Sequence, residues 1–206
     1  EHFKSATNQA PRETTNGELI EEHILRLELK LIADIGLVGM PNAGKSTLLS
    51  SISAARPKVA DYPFTTLQPH LGIAELDIDR RLIIADIPGL IEGAADGAGL
   101  GHRFLKHIER TGALLHLVDV MPIDGSDPVS NYRTIRDELE RYSSELAAKD
   151  EIIVLNKIDL LSSAVRESSI ETIAAELQLD PVITCSGATR EGIRDVLEHC
   201  WALAKI

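Results

Sequence analysis

The chain reads as an α/β protein, a mostly parallel β-sheet with helices on both faces. Three observations predict this. Short apolar runs of strand length recur along the sequence, amphipathic helical stripes separate them, and one strand-to-helix junction is a glycine-rich loop. In such sheets ligands bind beyond the carboxyl ends of the strands, so a motif carries weight where it closes a strand.

Composition sets the bounds. At 206 residues the chain is long enough for one domain with its own core. Hydrophobic residues make up 44% and charged residues 26%, ordinary for a water-soluble globular protein. Aromatics reach only 3%, so Leu, Ile, Val and Ala must build the core. Cys185 and Cys200 provide neither a disulfide framework nor a zinc cluster, which suits a reducing cytoplasm. Both stand at apolar positions and read as core filling. No run approaches the roughly 18 apolar residues that span a bilayer, so no membrane association is expected. A formal charge of −11 argues against binding nucleic acid by bulk attraction. The first residue is Glu1, which predicts a piece excised from a longer protein.

Residues 1–23 are polar, contain Pro11 and Gly17 and show no period; on composition they form a flexible tail. "ILRLELKLI" (24–32) alternates apolar and polar, as a half-buried strand does, and runs into the apolar "IGLVG". Residues 71–78 and 81–87 are two further strands, separated by Asp79 and Arg80 and close enough for a hairpin. The runs 113–120, 151–157 and 181–186 are apolar throughout, as strands buried on both faces are. Tyr132, Ile135, Leu139, Tyr142 and Leu146 step at helical spacing. So do Ile193, Val196, Leu197, Cys200, Trp201 and Ala204, which predicts Trp201 to be a core residue.

The glycine-rich junction is "GMPNAGKS": Gly39, Met40, Pro41, Asn42, Ala43, Gly44, Lys45 and Ser46, followed by Thr47. It matches G-x-x-x-x-G-K-[ST] between a strand and a helix, the context that makes the pattern a phosphate cradle. Glycines let the backbone wrap closely, so successive amides point at phosphate oxygens, and the helix adds its positive end. Lys45 would bridge the β and γ phosphates, and the Ser46 hydroxyl would ligate Mg²⁺.

A cradle does not choose the base. Asn156, Lys157, Ile158 and Asp159 close a later strand, at the same edge of the sheet. A carboxylate offers two acceptors that match the N1–H and 2-amino donors of guanine, whereas adenine would leave it unpaired. The Lys157 stem can cover the ring. Ser186, Gly187 and Ala188 follow the next strand, where amides around Ser186 and Ala188 could reach the guanine O6. Three matches in order at three strand ends indicate a guanine nucleotide.

Two segments are placed to sense the γ phosphate. Asp86 ends a strand before Ile87, Pro88 and Gly89; it would hold Mg²⁺ through water while the Gly89 amide meets the phosphate. "DYPFTTLQPHLG" (61–72) is turn-rich and contains Phe64, Thr65, Thr66, Leu67 and Gln68. A threonine hydroxyl there would complete the Mg²⁺ shell only with a γ phosphate present, an order–disorder switch. Thr65 and Thr66 both qualify chemically. Leu90, just after the turn, cannot orient an attacking water.

Together "GLVGMPNAGKSTLL", "YPFTTLQPHLG", "DIPGLIEGA", "GAGLGHRFLKHIERT", "NKIDLL" and "SGA" resemble the Obg (CgtA) family of GTPases. The resemblance implies a Ras-like P-loop GTPase fold whose six-stranded, mostly parallel sheet carries one antiparallel edge pair in the 71–87 hairpin. It implies a GTP-binding domain at 34–206. Residues 1–33 would be a linker and the remnant of a glycine-rich N-terminal domain, which replaces the flexible-tail reading. Thr66 becomes the Mg²⁺ ligand, and slow hydrolysis of GTP to GDP the activity. Guanosine tetraphosphate becomes a further ligand. The large ribosomal subunit is the implied partner, engaged mainly through domains absent from this chain, with roles in ribosome assembly and stress response and a monomeric state. His70 stands where the family pattern has Asn, and reads as a surface residue.

Leu90 replaces the water-orienting glutamine of Ras-like enzymes. Related GTPases with "PN-x-GKS" use the asparagine to hold K⁺ beside the β and γ phosphates, which assigns that role to Asn42. The implied catalytic set is Lys45, Thr66, Gly89 and Asn42. A rival reading is a guanine-nucleotide or alarmone sensor with negligible hydrolysis; a small-molecule kinase is disfavoured by the guanine motif. Arg103, Lys106, His107 and Arg110 form a basic run, read as a solvated helix face over an RNA-facing patch.

Overall fold

In the computed structural model, which describes residues 6–7, 9–10, 12, 33–53, 58–59, 70–86 and 111–204, the apolar runs pair into one sheet. Its strands are β1 (Ala33–Val38), β2 (Lys58–Val59), β3 (His70–Glu75), β4 (Arg81–Asp86), β5 (Thr111–Asp119), β6 (Glu151–Asn156) and β7 (Ile183–Cys185). The order is β2-β3-β4-β1-β5-β6-β7. From β4 to β7 every pairing is parallel, and β3 runs antiparallel to β4. The expected six strands are present, and the two-residue β2 extends the antiparallel edge beyond β3.

Side chains alternate across this sheet and meet helices on both faces. On one face Ile35, Leu37, Leu82, Ile84, Leu115, Leu117 and Val154 pack with α1 (Lys45–Ile52) and α5 (Ile193–Ala204). On the other, Val38 and Leu114 meet α2 (Pro128–Tyr142) and α3 (Ser144–Ala147), while Val118 and Leu155 meet α2 and α4 (Arg166–Leu177). Cys185 and Cys200 are buried in the first cluster, and burial pushes both thiols up to about 12. They are inert core residues, as expected.

Several elements differ from the pattern-based expectation. The stretch 24–32 lies outside the described residues. The hairpin turn is longer than Asp79 and Arg80, because the Asp77 carboxylate accepts from the amides of both and Leu76 closes the turn on the Arg80 carbonyl. The helical stripe from Tyr132 to Leu146 breaks at Ser143. Its extended backbone ends α2, and its hydroxyl accepts from the Leu146 amide to start α3. The helix α4 was not anticipated, although Ile170, Ile173, Ala174 and Leu177 carry a helical stripe. Trp201 is only half-buried, at the rim of the core beneath the Arg80 guanidinium.

One polar cluster lies inside the second face. His116 on β5 is 1% exposed and places Nδ1 2.6 Å from Glu151 Oε1 on β6. The other Glu151 oxygen is 3.1 Å from Arg136 on α2, which also donates to the Ala147 carbonyl at 2.8 Å. Burial lowers the His116 pKa, and the Glu151 carboxylate opposes that only in part. The folded state therefore holds the ring neutral while an unfolded chain protonates it below about 6.5. Where the unfolded state binds more protons, stability falls as pH falls. Urea midpoints should drop between pH 7.5 and 5.5, and His116→Phe should flatten that slope; an equal slope in both proteins would show that His116 does not titrate on unfolding.

Candidate functional site

The carboxyl ends of β1, β4, β6 and β7 lie at one edge of the sheet, and each carries or leads into one of the residues singled out above. Leaving β1, the chain turns at Gly39 with φ of 145°, passing so close to β5 that a Cβ there would lie 2.5 Å from the Leu117 carbonyl oxygen. Asn42 adopts a left-handed φ of 63° and Gly44 one of 97°, capping α1. A Cβ on Gly44 would stand 2.5 Å from Asn156 Nδ2. The loop thus needs glycine at both ends, which is why the pattern carries it there.

α1 begins at Lys45 with no acidic residue in its first turn, so its positive end stays uncompensated for an anion. Lys45 Nζ donates to the Gly39 and Met40 carbonyls at 2.7 and 3.0 Å. Burial lowers its pKa, and the nearby Asp86 carboxylate raises it in part. Ser46 Oγ donates to Asp86 Oδ2 at 2.8 Å. Asp86 is 3% exposed, and its Oδ1 has no hydrogen-bond partner among the described residues. A buried carboxylate oxygen left unpaired is costly, and a hydrated cation at this point would satisfy it. Among the described residues no group of three His, Cys, Asp or Glu could hold a metal. The Ser46 hydroxyl and the unpaired Asp86 oxygen are hard oxygen donors of the kind Mg²⁺ takes, so the pair fits that ion with the rest of its shell supplied from elsewhere.

The second half of the site hangs on Asn156, the last residue of β6 and 1% exposed. Its Nδ2 donates to the Ala43 carbonyl at 2.7 Å, and its Oδ1 accepts from the Gly187 amide at 3.1 Å. One side chain thereby fixes the cradle to the loop after β7. Lys157 follows in the left-handed region, and a 3₁₀ turn at Ile158–Leu160 buries Ile158 while leaving Asp159 exposed. Asp159 makes no side-chain hydrogen bond among the described residues. After β7 the Ser186 amide donates to the Glu191 carbonyl and its hydroxyl accepts from the Thr189 amide. The Ser186 amide is therefore not available to a ligand. Gly187 sits against the start of α1 near Thr47 and Leu48, and the Ala188 amide has no backbone partner among the described residues.

The structure thus brings together Gly39 to Thr47, Asp86, Asn156 to Asp159 and Ser186 to Ala188. Phe64, Thr65, Thr66, Leu67, Gln68, Ile87, Pro88, Gly89, Leu90 and the basic run Arg103, Lys106, His107 and Arg110 lie outside the described residues. His70 opens β3 at an exposed position, as expected. No sequence motif points to Asp119. This residue closes β5 at the same edge and accepts from Lys157 Nζ at 2.6 Å. A lone acidic residue ending an apolar strand was the available signal. Beside it a cavity of about 210 Å³ is lined by Pro41, Asn42, Asp119, Ser126 and Asn131 among others.

Residues 34–157, more than half of the chain, match the profile of a family described as 50S ribosome-binding GTPase. Among solved structures, an Era variant from Aquifex aeolicus bound to GDP.AlF4- is 21% identical, with a TM-score of 0.60 over 83% of this chain and 56% of that one. A GDP-bound variant of the S. thermophilus FeoB G-domain is 21% identical, with a TM-score of 0.61 over 84% of this chain and 61% of its own. The G domain of the T. maritima FeoB iron transporter is 17% identical, with a TM-score of 0.57 over 82% and 97%. At these identities the likeness shows the fold. The chain spans little more than half of the Era chain it matches.

Removing the Asn156 bridge should loosen both halves at once. Asn156→Ala leaves the Ala43 carbonyl and the Gly187 amide unpaired, at a cost of about 2–3 kcal/mol. Urea unfolding of the nucleotide-free chain checks the loss, and GDP and GTP titrations should show equal weakening.

Proposed function

Because this chain belongs to the 50S ribosome-binding GTPase family, we propose that it is the GTP-hydrolysing switch of an Obg-like protein that acts in large-subunit assembly and stress response. It is a GTP-binding GTPase domain of the Ras-like P-loop fold. The observation that supports the guanine-nucleotide reading is the Asn156 bridge, which ties the glycine-rich loop to the loop after β7.

The roles follow from the sequence motifs and, for the described residues, from position. Asp159 accepts from guanine N1–H and the 2-amino group, the Ala188 amide donates to O6, and the Lys157 stem covers the ring. Cradle amides and the α1 terminus take the phosphates, and Lys45 exchanges its two carbonyl partners for β and γ oxygens. Ser46, Thr66 and Asp86 would hold Mg²⁺, and the ion when bound would offset phosphate charge. The Thr66 hydroxyl and the Gly89 amide report the γ phosphate. Guanosine tetraphosphate shares the guanine and diphosphate chemistry and competes for the same site. The chain acts as a monomer in the cytoplasm.

Leu90 cannot position water, so charge must come from elsewhere. Asn42 is exposed, and its carboxamide makes no hydrogen bond among the described residues. It would hold a K⁺, which would supply positive charge that favours the transition state.

Two measurements test this function. Asp159→Asn exchanges one acceptor for a donor, so GDP should weaken about a hundredfold while xanthosine diphosphate gains; unchanged GDP affinity would refute the base assignment. At matched ionic strength, K⁺ should raise turnover above Na⁺ by about tenfold or more, and Asn42→Ala should abolish that difference with GDP affinity nearly intact. Turnover indifferent to K⁺ in the parent would shift the catalytic charge to a ribosomal partner.

A further inference from the structure

Among the described residues, Asp119 is the most buried acidic group at the ligand edge that none of the roles above employs. It is 9% exposed and stands directly beside Asn156 in the β5–β6 register. Its Oδ1 accepts from the Met121 amide at 3.0 Å, which turns the chain out of β5. Its Oδ2 receives Lys157 Nζ at 2.6 Å.

Lys157 needs such a partner. Its backbone φ of 67° directs the side chain back over the site, where its Cε would lie 3.9 Å from a Cβ on Gly44. A four-carbon stem has many rotamers, and fixing one costs entropy unless both ends are held. The backbone and Gly44 settle one end. The other end carries a charge that phosphates, cradle carbonyls and water all attract. Lys157 is only 26% exposed and Asp119 less, so their pair is screened far less than a surface one.

We infer that Asp119 is a positioning residue for base recognition, clamping the Lys157 ammonium so that its stem lies flat where the ring of a guanine nucleotide must stack. The inference rests on the guanine reading of this site. It predicts an effect confined to the base end, because Asp119 acts through Lys157 and touches no phosphate ligand.

The test is a double-mutant cycle on this chain, read by affinity and dissociation rate for GDP and for guanosine. Asp119→Asn keeps an oxygen for the Met121 amide and removes the clamp. It should weaken GDP and guanosine by the same factor, about tenfold, through faster dissociation. Lys157→Met, which keeps the stem and loses the ammonium, should cost the same. The double variant should cost no more than either. Losses that multiply in the double variant, a neutral Asp119→Asn, or a loss seen with GDP and not with guanosine would each overturn the inference. If Asp119→Asn fails to fold, Lys157→Arg decides: it keeps the ion pair and should bind better than Lys157→Met, and equal loss in both overturns the clamp. Parent selectivity for GDP over ADP reads the pocket itself. With selectivity present and the cycle additive, only the clamp falls; with selectivity absent, the guanine reading falls and takes the clamp with it.

Discussion

The hydrogen bonds of Asn156 are the constraint on which this site depends. A carboxamide at 1% exposure, with its nitrogen on the Ala43 carbonyl and its oxygen on the Gly187 amide, cannot be satisfied unless three loops stand together. Water cannot replace those partners without opening the core, so misplacing any one loop leaves a buried polar group unpaired. Gly44 belongs to the same arrangement. Any side chain there would meet Asn156 Nδ2, so glycine in the cradle serves the base loop as well as the phosphate. The Cys185 thiol adds a contact to Asn156 Oδ1 at 3.3 Å and closes the interior side.

The sheet supplies the meeting place. In the parallel register Leu37 stands beside Asp86, Asp119 beside Asn156, and Asn156 beside Cys185, while β5 runs three residues past the end of β1, whose Val38 stands beside His116. The buried polar residues among the described ones are Asp86, Thr111, His116, Asp119, Asn156 and Ser186. Four of these stand at the carboxyl edge or one residue beyond it. A hydrophobic interior admits polar groups only where they are paired, so this concentration at one edge marks where selection has tolerated their cost. His116 is the exception in mid-strand. It is matched by Glu151, which a second helix then holds through Arg136.

Much of this was legible in the sequence because the phosphate cradle and the NKID run are local patterns that close apolar strands. The run of alternating buried strands was legible for the same reason: period and length survive without tertiary context. What was not legible depended on contacts between distant segments. Nothing local to Ser186 indicates that its amide turns to Glu191. Nothing local to Asp119 names Lys157 as its partner. The break at Ser143 was hidden because Leu146 continues the helical spacing of Leu139 and Tyr142 on a new element, with the same face buried. Trp201 sits at a helical position that faces the rim, where period alone cannot separate core from edge.

A chain with a formal charge of −11 must still attract a polyanion, and the arrangement at this edge accounts for how it can. Long-range attraction cannot contribute, since the net field has the wrong sign and salt screens it within about 8 Å at physiological ionic strength. The favourable charge has to be local and fixed. It resides in the amides of the loop from Gly39, in the uncompensated first turn of α1 and in Lys45. The second lysine at this edge, Lys157, is paired with Asp119 and so adds little net charge. That division has a consequence for specificity. A positive charge left free at the base end would draw any phosphate toward it and allow the nucleotide to bind in a reversed or shifted register. Neutralising Lys157 in place leaves, among the described residues at this edge, the Gly39–Lys45 loop and the α1 terminus as the anion-attracting end, so phosphates would be drawn there.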